Sequence, residues 1–160
     1  MKQPAIWSLA IFFLSATLII SCNKDDDDDQ EKTVFTANNL PINSAQEVPT
    51  PGTPTTATGT MNVSYDKTTK QLVISASWQN LTADPIAAHI HGTAAKGTAA
   101  GVKVDFHDNV TSASGNFNRT ITVDETTIKE DSLLAGFYYF NIHTPANQPG
   151  EIRGQIEFPN

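Results

Sequence analysis

At 160 residues the chain has room for one domain and short appendages. Seventeen acidic against ten basic residues give a net charge of −7, which excludes the basic footprint of a nucleic-acid binder. A single cysteine excludes an internal disulfide, and the Thr, Val, Ile, Gly and Pro usage leans towards a core of strands and turns.

Lys2 precedes an apolar or small-residue run from Ile6 to Ile20, too short to span a bilayer comfortably and of the right length for a signal-peptide core. Ile19-Ile20-Ser21-Cys22 resembles a bacterial lipobox, which implies cleavage before Cys22 and lipidation of that residue. Residues 1–21 then read as a lipoprotein signal peptide, and several acyl chains on Cys22 would anchor stably where one would not. Asp25 to Asp29 and Glu31 follow, a block of like charge that repels itself and stays extended. Residues 22–32 are therefore expected to be a lipidated cysteine with an acidic tether. Lysine followed by acids after such a cysteine is also similar to the surface-export signals of some Gram-negative lipoproteins. The expected place is the bacterial cell envelope, on the outer membrane, with export to the cell surface a compatible further step.

From Thr33 the pattern is one of short strands. Thr33–Ala37 reads as a first strand, and Leu40–Val48 as an irregular edge segment because Pro41 and Pro49 cannot donate to a central ladder. After a Pro-, Thr- and Gly-rich loop a hairpin is expected: Met61, Val63 and Tyr65 on one face, a turn over 66–69, then Leu72, Ile74, Ala76 and Trp78 on one face. The polar residues between them place only one side of this sheet in a core. Residues 86–92 form a histidine strand, and Val102, Val104 and Phe106 alternate with polar neighbours in another. Ser112–Val123 gives a further strand, with Phe117, Arg119, Ile121 and Val123 sharing a face. Asp124–Leu134 suits a short helix or turn. Phe137–Thr144 alternates Tyr138, Phe140 and Ile142 against Phe137, Tyr139, Asn141 and His143. Gly150–Phe158 is read with Ile152, Ile156 and Phe158 inward and Glu151, Arg153, Gln155 and Glu157 outward. Seven to nine short strands argue for an all-β, antiparallel two-sheet sandwich over residues 33–160.

Chemistry concentrates in Ala88-His89-Ile90-His91-Gly92. Side chains alternate along a strand, so His89 and His91 share a face about 7 Å apart and can reach one ion from the same side. Joined by His143, three neutral imidazoles would suit copper or zinc better than magnesium or calcium, with Asn141 or a backbone carbonyl holding the other ring nitrogens. The bland alternative is structural: histidines bonded to backbone carbonyls, with Tyr139, Asn141 and His143 on an ordinary solvated sheet face. Glu151 and Arg153, two apart on one strand, read most simply as a surface ion pair. No nucleophile elbow, phosphate-cradling glycine loop or paired catalytic acids can be assembled.

Glu47-Val48-Pro49, Ala57-Thr58-Gly59, Ala88-His89-Ile90-His91-Gly92, Asn141-Ile142-His143-Thr144 and Pro149-Gly150-Glu151-Ile152-Arg153-Gly154-Gln155-Ile156 together resemble the CHRD domain, the module named after chordin. The resemblance covers about residues 34–158. It implies an immunoglobulin-like, Greek-key β-sandwich of a family with no established biochemical activity. That sandwich is thought to be distantly similar to copper–zinc superoxide dismutase. The order His89, His91, His107, His143, Arg153 parallels that enzyme's metal-binding histidines and anion-guiding arginine. It departs in having no zinc-holding cluster after His107 and no cysteine pair. The resemblance implies metal ligation by His89, His91 and His143, with His107 the weaker candidate and Arg153 guiding an anion.

Two functions follow as expectations. The first is a binding or structural module on the envelope, attached to the membrane through Cys22 and meeting a protein or small-molecule ligand, with no nucleic-acid partner, cofactor or catalytic residues assigned. The alternative is a mononuclear copper- or zinc-binding redox protein using the His-x-His strand.

Overall fold

The structure is a computed structural model that describes residues 31–159. Expectations for the signal segment, Cys22 and residues 22–30 lie outside the described residues. Residues 31–159 belong to one compact unit. Its elements in chain order are β1 (Val34–Asn43), β2 (Thr58–Asp66), β3 (Gln71–Gln79), β4 (Ala87–Gly92), β5 (Val102–Asp105), β6 (Gly115–Thr122), α1 (Glu130–Leu134), β7 (Tyr138–His143) and β8 (Ile152–Ile156), with 3-10 turns at Ser44–Gln46 and His107–Asn109. The eight strands form one sheet in the order β5-β4-β7-β8-β1-β2-β3-β6. Every pair is antiparallel.

The expected hairpin is β2 and β3, in register from Thr58↔Gln79 to Asp66↔Gln71. Asp66 Oδ1 accepts the amides of Thr68 and Thr69, and Lys70 closes the turn at a positive φ of 55°. Met61, Val63, Tyr65, Leu72, Ile74, Ala76 and Trp78 are all buried. Thr58, Thr60, Asn62, Ser77 and Gln79 are exposed on the other face, as alternation requires.

The sheet curls until its ends face one another. Phe117 of β6 packs against Phe140 of β7 with centroids 5.5 Å apart, and Phe106 touches both at 5.1 and 6.0 Å, although β6 is last and β7 third in the strand order. Ala88, Ile90, Phe140, Ile142, Ile152 and Ile156 join the β2–β3 residues in a single apolar cluster. The inside of the curl is the core, and α1 adds only Leu133 to its fully buried side chains.

Three expectations need correction. Thr33–Ala37 and Leu40–Val48 are not a strand and an irregular edge. One strand, β1, runs through Pro41 to Asn43, with a register shift between Ala37 and Leu40 where Asn39 takes φ 55° and donates its N–H to Asn62 Oδ1. β1 lies inside the sheet order, and its pairing to β8 is confined to Asn43 and Arg153. Glu151, Arg153 and Gln155 face away from the core but are not exposed, because β8 is buried on both faces and Glu151 just before it is buried as well. Tyr139, Asn141 and His143 do not lie on a solvated face, since every residue of β7 is buried.

Candidate metal centre

Ala88 and Ile90 face the core, so alternation puts His89 and His91 on the opposite side of β4. β7 lies beside it in the register Ala87↔His143, His89↔Asn141, His91↔Tyr139, and β8 beside β7 with Asn141↔Arg153 and Tyr139↔Gln155. The polar residues of three adjacent strands thus form one patch. Two loop regions cover it. Ala100 O accepts from His91, Thr98 O from Arg153 and Ala94 O from Gln155 on one side, while Gln148 O meets His143 on the other.

The three expected histidines come together. His89 Nδ1 lies 3.0 Å from His143 Nε2, and one nitrogen from each of His89, His91 and His143 falls within 4.8 Å of the others. Two nitrogens bound at zinc–imidazole distance in tetrahedral geometry stand about 3.3 Å apart, so these rings need little movement to share an ion. The nitrogens pointing away are hydrogen-bonded at His91 and His143, while that of His89 only lies near a carboxylate. His91 Nδ1 is 2.8 Å from Ala100 O, His143 Nδ1 is 2.8 Å from Gln148 O, and His89 Nε2 is 3.8 Å from Asp105 Oδ1. A carbonyl oxygen only accepts, so Nδ1 of His91 and His143 carries the proton and each Nε2 keeps its lone pair. This is the orientation a metal-binding imidazole needs from its outer partners.

Burial pushes all three imidazoles below the ordinary histidine pKa. At His89 the neighbouring His91 adds to the effect, and Asp105 opposes it. The neutral forms that can ligate are therefore favoured at neutral pH. His91 Nε2 is buried with no hydrogen-bond partner among the described residues, so its lone pair is open to an ion or a water. The donor set fits copper or zinc: three nitrogens, no thiolate and no ligating carboxylate. Among the described residues, no other group of three or more His, Cys, Asp or Glu side chains converges in this way.

His107 stays outside the cluster. It lies exposed in the turn after β5, its amide bonded to Asp105 Oδ1, in a cleft with Asp108, Asn109 and Arg119. Arg153 is near the histidines but buried. Its guanidinium carbon sits 3.4 Å over the Tyr139 ring, and it donates to Thr98 O at 3.1 Å and Gln155 Oε1 at 2.9 Å. Tyr139 in turn stacks on His91, 3° from parallel with centroids 4.9 Å apart. The strand order sets Tyr139 between the two, so Arg153 reaches the centre through an aromatic ring.

Glu151 makes no pair with Arg153. It is fully buried and accepts Thr55 Oγ1 at 2.5 Å, Thr82 Oγ1 and Thr144 Oγ1 at 2.6 Å each, and the Thr82 amide at 2.9 Å. Burial works against its charge, but these donors outweigh it and hold the carboxyl below its ordinary pKa. The cluster ties the loops before β2 and β4 to the start of β8.

Sequence reasoning missed Glu47. It is 3% exposed, and burial pushes its carboxyl up to about 7 despite the Val48 amide, Asn141 and Arg153. Its presence in the Glu47-Val48-Pro49 motif was the available signal.

The fold and centre define an all-β antiparallel domain with three imidazoles on the loop-covered outside of a curled sheet. The CHRD domain family matches over residues 39–156, and the chain belongs to that family. No curated protein and no solved structure matches it.

Proposed function

We propose that this protein is a lipid-anchored CHRD module of the cell envelope, held to the outer membrane through Cys22 and an acidic tether, and that its ligand is a copper or zinc ion at His89, His91 and His143. The observation that carries the ion-binding reading is the pair of Nδ1 contacts to Ala100 O and Gln148 O. They fix two tautomers with Nε2 as the lone-pair nitrogen turned to the centre, where that of His143 meets His89 Nδ1 and that of His91 has no partner. The Phe117–Phe140 contact across the curl supports reading the sheet as an immunoglobulin-like, Greek-key sandwich. The Cys22 anchor rests on the sequence.

Metal content of residues 33–160 tests the ion-binding reading. One equivalent of copper or zinc is expected in the wild type and none in His89→Ala/His91→Ala. An unloaded wild type, or a double variant that loads equally, would sink it and return the search to protein or small-molecule ligands. Radiolabelled fatty-acid incorporation that disappears in Cys22→Ser is the expected result for the anchor.

A redox role for the ion is the second reading. It comes from the order of the histidines in the sequence; the Tyr139 ring stacked on His91 with Arg153 behind orients the imidazole and does not by itself favour redox chemistry. A copper-loaded chain without one-electron turnover would leave binding as the whole function. A second ion of the dismutase kind has no support, since His107 stays apart and the described residues gather no further ligands beside it.

A further inference from the structure

We propose that Asn141 gives the centre an oxygen donor from its floor, held carbonyl-inward by Glu47, so that the site takes a divalent ion, Cu²⁺ or Zn²⁺, through three imidazole nitrogens and one amide oxygen. The proposal rests on the metal reading above and deepens it.

Asn141 sits on β7 between Tyr139 and His143, on the face that both occupy, and directly opposite His89 on one side and Arg153 on the other. It is 1% exposed, and its Oδ1 has no hydrogen-bond partner. His91 Nε2, also buried, has none either. The Asn141 amide approaches the His91 ring, but with His91 Nδ1 bonded to Ala100 O neither Asn141 Oδ1 nor His91 Nε2 makes a well-formed hydrogen bond. The reason is chemical. The Nδ1 proton of His91 is committed to Ala100 O, which leaves Nε2 an acceptor, and an amide oxygen is an acceptor as well. Two buried acceptors cannot satisfy each other, whereas one cation satisfies both.

Glu47 sets which end of the amide faces the histidines. Asn141 Nδ2 donates to Glu47 Oε2 at 3.5 Å, and Glu47 Oε1 accepts the Val48 amide at 3.2 Å. Gly150 backs this arrangement, because a Cβ at that position would overlap the Glu47 carboxylate. Against an ionised Glu47, turning the amide over would set two oxygens against each other, so the hydrogen bond keeps Oδ1 directed away from the carboxylate. Glu47 is thus a positioning residue acting through Asn141. A nitrogen set completed by an amide oxygen is harder than three imidazoles alone, which favours the divalent ions over Cu⁺.

The test uses the full chain, with Co²⁺ as a spectroscopic probe and Zn²⁺ affinity measured by chelator competition. Asn141→Leu is expected to keep one equivalent of metal, bind Zn²⁺ about 10- to 100-fold more weakly and change the Co²⁺ d–d spectrum. The double variant Glu47→Gln/Asn141→Asp, with a charged oxygen at the same place and an amide behind it, is expected to bind Zn²⁺ about tenfold more tightly than wild type. An unchanged affinity and spectrum in Asn141→Leu would overturn the proposal and assign the two acceptors to a buried water. If that variant does not fold, unchanged affinity in the double variant overturns it equally. Failure of the underlying reading looks different: wild type takes up no metal, or His89→Ala/His91→Ala takes up as much.

Discussion

The two ends of the sheet follow opposite rules. In β2, β3 and β6 one face is core and the other is open, carrying Thr60, Asn62, Ser77, Asn116 and Asn118. In β7 and β8 both faces are buried, and the outward one holds Tyr139, Asn141, His143, Arg153 and Gln155 beneath loops. The first end is an ordinary half-buried antiparallel sheet. The second is a polar interior, in which every donor and acceptor needs a partner. A sheet can therefore build a site without a deep cavity, by roofing its outer face with loops that supply carbonyls.

Substitutions at the two ends should separate accordingly. The largest effect is expected at the apolar inner face shared by both: Phe140→Ala, which removes the ring touching Phe106 and Phe117, should cost about 3–5 kcal/mol in denaturant unfolding. Next comes the roofed end, where Glu151→Ala strands three threonine hydroxyls and an amide and should cost about 3 kcal/mol by the same measurement. A loss below about 0.5 kcal/mol there would mean that the outer face of β8 behaves like the open face of β3.

Acid should act on the roofed end in two opposing ways. His89, His91 and His143 have pKa values below the ordinary 6.5, so the unfolded metal-free chain takes up protons first as pH falls, and their contribution to stability is lost below about pH 6.5. Glu47 works in reverse. Its carboxyl protonates at about 7 in the fold against 4.5 ordinarily, so over that window the folded state gains stability as pH falls. Glu47→Gln removes the opposing contribution, and the fall in melting temperature between pH 7 and 5 should become steeper than in wild type. The smallest effect is expected on the open end, where Ser77→Ala loses one exposed contact with Thr60 and should stay within about 0.5 kcal/mol of wild type.

The difference between the ends also decides what the sequence could disclose. The β2–β3 hairpin was readable because solvent enforces alternation there and Asp66 marks the turn. His89 and His91 could be placed on one face for the same geometrical reason, and the histidine order brought in His143. Alternation says which side a residue takes, not what covers that side, so Arg153, Glu151 and Tyr139 were assigned to water although loops from far along the chain enclose them. The motif around Glu47 marked the residue but not its place in the patch, because it reaches Asn141 across 94 positions of sequence. The merged β1 was obscured by Pro41, whose strand-edge signal held less weight than the bulge at Asn39.

One feature of the strand order bears on how the molecule is made. β8 is the last strand in chain order, yet it lies between β7 and β1 and joins β5-β4-β7 to β1-β2-β3-β6. During synthesis the earlier hairpin can pair as soon as it emerges, but the two halves acquire their link only when residues 152–156 arrive. Those few residues bring together segments more than a hundred positions apart, a non-local closure of the kind that slows folding. Until then the flanking edges of β7 and β1 are open templates for other strands, so the domain is most vulnerable to mispairing before β8 has docked.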